Sequence, residues 1–498
     1  MFDRENQGKT LTNSDGKTND IQISVSRCMG NKNIFIQTFG CQMNVHDSEQ
    51  IVALLARFGY EQTEHIQLAD LIILNTCSIR EKAAQKVYSE LGRIGRLKKQ
   101  NPAMILGVCG CLAQHLGRKF HHKVESLDFV LGTHNIHLLP EIVRSLEKER
   151  KKITEIDFHP SLSSMDIFAP PTSNKVCAFV TIMQGCNNFC SYCVVPYLRG
   201  REISRPAKDI IEEIKKLVDL GVQEVTLLGQ NVNSYGKTLN DGSNFTSLIK
   251  DLGTIDGLQR IRFTTSHPRD LSRELMDCFA TEEKLCPHIH LPVQSGSNRV
   301  LALMNRGYTI EDYRWKIDYL RNVNASISIT SDIIVGFPGE TRKDYEETID
   351  MMEKIRFDST FSFKYSARAG TAAQKLNDDV AESEKLRRLE SVQELQNRHM
   401  QEKNDALVGS RQDVLVEGES KHSENELMGR TRSFKIVNFE GTPDLVGRIV
   451  DVEITGAYLH SLRGTIEHQR REHVDRNEGT GIDHRSCQQY ADRHPKRY

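Results

Sequence analysis

From Asn33 onward, short apolar runs alternate with longer amphipathic ones. NIFIQTFGC precedes DSEQIVALLARFG, ADLIILNTC precedes IREKAAQKVYSELGRIGRLKK, AMILGVCGC precedes a segment containing LAQHLGRKF, and DFVLGTHN precedes HLLPEIVRSLEKER. Apolar runs too short for helices, alternating with stretches of 3.6-residue period, predict β-α units and hence a parallel sheet. A first α/β domain is expected over 32–150, with 1–31 a disordered extension, because no apolar periodicity precedes it. KKITEIDFHPSLSSMDIFAPPTSN is polar and proline-interrupted, which predicts a linker, 151–171, able to pack on a surface. A second series follows: CAFVTIMQG, QEVTLLGQNV, RIRFTTSHP, HIHLPVQSG, SISITSDIIVGFPG and TFSFKYSAR as strands, with helical stretches such as AKDIIEEIKKLVDLG and TRKDYEETIDMMEKIRF between them. This pattern predicts a partial or complete β/α barrel of TIM type over 172–404, with reactive groups at the C-terminal ends of its strands. A long charged helix then runs to Gly409. The short alternating strands beyond it predict a small all-β barrel over 406–468. The polar stretch 469–498 reads as a tail, and the irregular spacing of His468, His473, His484 and His494 favours solvation over metal binding. The fold class expected is mixed α/β, with an N-terminal parallel α/β domain, a β/α barrel and a C-terminal all-β barrel.

A length of 498 residues exceeds what one compact core takes. Lys plus Arg (66) against Asp plus Glu (67) leaves net charge silent about nucleic acid, membrane surface or acidic ligands. No apolar run approaches the roughly 18 residues of a membrane span, so no membrane partner is expected. MFDRENQGKTLTNSDGKTND lacks the apolar core of a secretory signal, and its acids argue against a transit peptide, so a cytoplasmic location is expected. In a reducing compartment the 12 cysteines point to metal ligands or catalytic thiols rather than disulfides.

Cys186, Cys190 and Cys193 form GCNNFCSYC directly after the first strand of the second series. Three thiolates on one tight loop can hold three irons of a [4Fe–4S] cluster and leave the fourth open to a small ligand. A structural zinc site takes four protein ligands, and inert buried thiols would have no reason to crowd the catalytic end of a barrel strand. This CxxxCxxC, with an aromatic before its last cysteine and opening a β/α barrel, resembles the radical S-adenosylmethionine superfamily over about 172–404. The resemblance implies that the open iron chelates S-adenosylmethionine. One electron from the cluster would then cleave it to a hydrogen-abstracting radical.

Cys41, Cys77 and Cys111 share an address, each ending an apolar strand and preceding a helix. In a parallel sheet those strand ends lie along one edge, so the sulfurs can converge. Buried cysteines acting as small hydrophobes are the other reading, and the residues alone leave both open. TFGCQMN, LNTCSIREKA and VCGCLAQ, with the radical motif and the small barrel, resemble the methylthiotransferases over about 32–468. The resemblance implies a second [4Fe–4S] cluster on these three cysteines and a C-terminal TRAM domain that binds RNA. GCQMN and NTCSIREKA are similar to the branch acting on N6-dimethylallyladenosine in tRNA; GCKVN would mark a threonylcarbamoyl-adenosine branch and GCPKN one modifying a ribosomal protein. VCGC also holds Cys109. The family pattern selects Cys111, while strand pleating would put both on one side and leave Cys109 a neighbour or substitute ligand. Cys28, Cys177, Cys278, Cys286 and Cys487 have no motif context.

LLGQNVNSYG, TTSHP, PVQSGSNRVL and DIIVGFPGET also end predicted strands. The resemblance implies that such segments embrace S-adenosylmethionine, with Gln230, Asn231, Ser295 and Gly336 as candidate contacts; turn chemistry is the alternative. The small barrel is acidic overall. Arg430, Arg432 and Lys435, with Phe434 between, would place cations and a stacking ring on one RNA-facing surface, or else form a solvated strand. The resemblance implies that adenine carbon 2 at tRNA position 37 is methylthiolated next to an existing N6-isopentenyl group. It also implies a second S-adenosylmethionine as methyl donor, the anticodon stem-loop as partner, a flavodoxin or ferredoxin electron donor and an iron–sulfur or sulfur delivery protein. The alternatives are methylthiolation of another tRNA or protein substrate, and a non-catalytic iron–sulfur RNA-binding protein.

Overall fold

A computed structural model describes residues 32–77, 81–158, 165, 167–170, 175–420 and 425–466. The expected extension 1–31, the tail from 469, His468, Cys28 and Cys487 lie outside the described residues.

The N-terminal sheet holds six strands in the order β2-β1-β3-β4-β5-β6, all parallel. They are β1 (Lys32–Thr38), β2 (Tyr60–Gln62), β3 (Leu71–Thr76), β4 (Ile105–Gly110), β5 (Phe129–Leu131) and β6 (Ile153–Glu155). The helices are α1 (Gln42–Ala56), α2 (Glu81–Gln100), α3 (Cys111–Leu116), α4 (Lys119–Lys123) and α5 (Leu139–Lys148). β3 and β4 are buried throughout, which explains their unbroken apolar runs: helices cover both faces. β6 falls inside the stretch expected as linker, so the sheet runs past residue 150. Ile167 packs into the same core, and Gln50 Nε2 donates to its carbonyl at 3.1 Å.

The second unit is a partial barrel of two parallel sheets. One holds β7 (Cys177–Thr181), β10 (Glu224–Leu228) and β11 (Arg260–Phe263); the other holds β12 (His288–His290), β13 (Ser328–Val335) and β14 (Ser359–Lys364). A parallel bridge, Ile261 to Leu285, joins them. A short antiparallel ribbon, β8 (Met183–Gln184) with β9 (Ile203–Ser204), sits between β7 and β10 in the chain. The helices are α6 (Val195–Leu198), α7 (Ala207–Asp219), α8 (Phe245–Gly253), α9 (Arg273–Thr281), α10 (Asn298–Leu303), α11 (Ile310–Val323) and α12 (Arg342–Ile355). Ile289, Ile329, Ile333 and Val335 pack outward under the helices, so alternation turns His290, Thr330 and Asp332 to the interior.

The long helix α13 (Glu382–Asp405) leads into a closed barrel, β15 (Arg411–Glu419), β16 (Glu426–Thr431), β17 (Ile436–Glu440), β18 (Ile449–Ala457) and β19 (Leu462–Ile466), in the order β15-β16-β17-β19-β18. Its core includes Val414, Val416, Leu427, Val437, Phe439 and Ile454.

The joint between the two barrels corrects the RNA-facing reading of Arg430, Arg432, Phe434 and Lys435. Arg260, fully buried, donates to the Arg430 carbonyl at 2.7 Å, and Arg262 donates to the carbonyls of Arg432 and Thr431, both at 2.8 Å. Phe434 stacks on His288 with ring centroids 4.9 Å apart, and the Arg262 and Arg430 guanidinium groups lie 4.9 and 5.0 Å from its ring. Arg432 reaches the Leu285 carbonyl, Lys435 donates to Asn404 Oδ1 at 2.8 Å, and Arg430 pairs with Glu417. Arg432, Lys435, the Phe434 ring and the carbonyls of Arg430 and Thr431 hold the small barrel to the large one, while the Arg430 cation pairs within its own barrel and Phe434 stays 39% exposed. Spacing could group them on one surface but could not say what that surface touched.

Candidate functional site

The first cysteine loop leaves β8 through Gly185, whose φ of +82° suits glycine; a Cβ there would fall 2.1 Å from the Arg201 carbonyl oxygen. The loop is pinned from both sides. Cys186 N donates to Gly200 O at 3.2 Å, Ser191 N to Met304 O at 2.9 Å, Ser191 Oγ to Leu303 O at 2.8 Å, and Asn305 Nδ2 to Phe189 O at 3.0 Å. Cys186 and Cys190 are buried, and Cys193 is half-buried. Burial pushes the Cys186 thiol up to about 11, opposed by a backbone hydrogen bond at Asn188 and helped by the neighbouring Cys190; burial and then Cys190 push Cys193 up to about 12. Arg306 Nη1 donates to Cys190 Sγ at 3.3 Å, and His267 Nε2 lies 3.9 Å from it.

Around this loop, buried polar atoms go without partners: Gln184 Nε2, Glu202 Oε1, Gln230 Nε2, Asn231 Oδ1 and Ser266 Oγ. Buried polar groups are normally satisfied, so this set fits a polar ligand resting over the loop. Gln230 and Asn231 are anchored by their other ends, Gln230 Oε1 accepting from Gly185 N and Asn231 Nδ2 donating to Asp270 at 2.8 Å. Ser295 and Gly336 make bonds of their own. The Ser295 hydroxyl, fully buried, accepts from Ser297 N at 3.2 Å, while Gly336, at φ +67°, donates to Glu340 at 2.6 Å and presses against Lys385. Ser266 and His267 fall in TTSHP, one of the segments expected around the cofactor, whereas Gln184, Glu202 and Arg306 escaped the sequence reading because no spacing marks them; they meet the loop only through the fold.

The second set sits at the ends of β1, β3 and β4. Cys41 caps α1 and is exposed, whereas Cys77 and Cys111 are buried. A Cβ on Gly40 would fall 2.8 Å from Cys77 Cβ, and Cys111 lies close enough to Cys41 to feel its charge. The three strand ends therefore meet. Asn44 Nδ2 donates to Asn75 Oδ1 at 3.0 Å, and Asn75 Nδ2 donates to Ser48 Oγ at 2.9 Å, making a buried amide network beneath them. Cys109 does not join. Gly110, at φ +87° and ψ −163°, breaks the pleat, and Cys109 turns into the apolar core with Ile73, Ile105 and Leu131. Burial holds its thiol well above the usual range. Cys278 and Cys286 are buried, and Cys177 lies half-buried on β7.

The two sets face one another. Cys111 packs on Val194 and Leu198, just past Cys193. Between them Arg199, also buried, pairs with Asp47 of α1 at 2.8 Å and directly follows Leu198, which packs on Cys111.

Comparison with known proteins matches the same three units. Residues 33–132 match the profile described as uncharacterized protein family UPF0004, 180–352 the radical SAM superfamily, and 405–466 the TRAM domain. A tRNA-2-methylthio-N(6)-dimethylallyladenosine synthase of Syntrophus aciditrophicus (strain SB) is 59% identical over 433 residues, covering 87% of this chain and 94% of the relative. Its namesake in Geobacter sulfurreducens (strain ATCC 51573 / DSM 12127 / PCA) is 52% identical, covering 88% and 98%. Among solved structures, the radical S-adenosylmethionine methyltransferase TsrM of Kitasatospora setae, with cobalamin and a [4Fe–4S] cluster bound, superposes with a TM-score of 0.54 at 13% identity, over 70% of this chain and 77% of that one, which is a likeness of fold. With its two facing cysteine sets, its radical SAM barrel and its small closing barrel, the chain belongs to the tRNA-2-methylthio-N(6)-dimethylallyladenosine synthase family.

Proposed function

We propose that this chain methylthiolates carbon 2 of N6-isopentenyladenosine at tRNA position 37. The observation that carries this reading is the meeting of the two cysteine sets, with Cys111 packed on the residues that follow Cys193. When bound, a [4Fe–4S] cluster on Cys186, Cys190 and Cys193 with S-adenosylmethionine supplies hydrogen abstraction and the methyl group, and one on Cys41, Cys77 and Cys111 supplies the sulfur.

The chain's own residues order the rest. Gly185 and the Leu303–Asn305 segment fix the first loop. The unpaired atoms of Gln184, Glu202, Gln230, Asn231 and Ser266 suit the amino, carboxylate and ribose groups of S-adenosylmethionine. On the interior wall His290 Nδ1 bonds Thr330 Oγ1 at 3.0 Å, and Phe361, 55% exposed, meets His290 edge-on at 6.3 Å. A base splayed from an anticodon loop finds there a ring to stack on and polar edges to bond.

The partners this reading requires are the tRNA anticodon stem-loop, a flavodoxin- or ferredoxin-type electron donor and an iron–sulfur or sulfur delivery protein. A tRNA substrate puts the reaction in the cytoplasm. Among the described residues no helix is long and apolar enough to cross a membrane.

The test is to purify and reconstitute the protein without oxygen and count iron and sulfide. About eight irons per chain should fall to about four in C41A/C77A/C111A. Cys190→Ala should abolish 5′-deoxyadenosine formation. Cys77→Ala should leave uncoupled cleavage of S-adenosylmethionine but form no methylthio product, and product from that variant would sink the two-cluster assignment. Modification of RNA lacking the isopentenyl group would point to a different substrate.

A further inference from the structure

Arg199 is a guanidinium buried between two thiol sites. It lies six residues past Cys193 in sequence and is 4% exposed. One Nη donates to Asp47 Oδ2 of the N-terminal domain at 2.8 Å, and the adjoining Leu198 packs on Cys111. Its backbone is held by the same domain: His134 Nε2 lies 3.0 Å from the Arg199 carbonyl, and Thr133 Oγ1 donates to the Leu198 carbonyl at 2.8 Å. The guanidinium is thus borne by one domain's loop and fixed against the other domain's ligand. A buried ion pair is weak support for stability, since desolvating both charges offsets much of their attraction. A local role is therefore the better account of why a charge is placed here.

We propose that the Arg199–Asp47 pair positions Cys111 and sets the reduction potential of the second cluster, a proposal that rests on the assignment of that cluster to Cys41, Cys77 and Cys111. Two opposed charges act here. The buried positive charge of Arg199 favours the reduced, more negative cluster, raising the potential, while Asp47 opposes it by partial neutralisation. The planar fork of arginine holds the Asp47 carboxylate more rigidly than a lysine ammonium would. Arg199 is a positioning residue here, acting through Cys111.

The test is an electron paramagnetic resonance potentiometric titration of full-length chains carrying C186A/C190A/C193A, so that only the second cluster is present. Arg199→Gln should shift its potential downward, Arg199→Lys should recover part of the shift, and Asp47→Asn should move it upward. Equal potentials in all four chains, or shifts of the same sign in R199Q and D47N, would overturn the proposal. If R199Q fails to assemble a cluster, D47N decides: a potential unchanged or lowered overturns it. A starting chain that binds no iron would instead overturn the assignment of the second cluster.

Discussion

Two glycines set the entry to the two thiol sites, Gly185 immediately before Cys186 and Gly110 immediately before Cys111. A Cβ on Gly110 would fall 2.5 Å from Asn75 Oδ1 and 2.5 Å from the Thr76 carbonyl oxygen, and one on Gly185 would strike the Arg201 carbonyl. Gly185→Ala is expected to cost about 1–2 kcal/mol for the left-handed backbone alone, with the clash in addition. Iron analysis should show loss of the first cluster's share, with the second cluster's share retained; a full complement of iron would contradict the role given to this turn. The ligand spacing CxxxCxxC was legible because it is local. The choice of Cys111 over Cys109 followed the family pattern, yet its physical cause, the positive φ of Gly110, lay outside a reading that assumed an even pleat.

Among elements, α12 shows how a helix start can organise a neighbouring loop. Asp344 caps it with Thr341 and also accepts from Ser297 Oγ at 2.6 Å and from Arg299. Burial opposes its charge, but these hydrogen bonds win and hold its carboxyl well below the usual carboxylate range. A depressed folded pKa means the stabilisation is complete above the unfolded value near 4 and is lost as pH falls below it. Asp344→Asn should cost about 2 kcal/mol at pH 7, and thermal melts should show that difference shrinking as pH drops below about 4. The long helices and apolar strands were legible from periodicity. β2 and β6 were not, because YEQ and ITE are three-residue edge strands too short to show a period of two.

For the molecule as a whole, the joint between the two barrels is the main departure from expectation. Arg262, buried beside Glu224 at 2.9 Å, carries the bonds to the carbonyls of Thr431 and Arg432. Arg262→Ala leaves Glu224 buried beside a lost partner, at a cost of about 3–5 kcal/mol. Calorimetry should show the small barrel melting apart from the large one, with proteolysis between α13 and β15; a single unchanged transition would refute the joint. Because Arg432 is committed to carbonyls of the large barrel, Arg432→Ala should leave the salt dependence of tRNA affinity unchanged, whereas a lost phosphate contact would flatten that slope by about one unit.

The sequence by itself determined the β-α alternation, the order of the three units, the three-thiol loop and the strand-end address of the other three thiols. These are local or periodic properties, written in side chains near one another in the chain. Tertiary structure decided what the strand ends face, which polar atoms gather over the loop, and that Arg199 and Asp47, 152 residues apart, meet beside Cys111. It also turned Arg430, Arg432, Phe434 and Lys435 into a joint. Charge and aromaticity name what a side chain can bind, but only packing settles whether its partner is solvent, a nucleic acid or another part of the same chain.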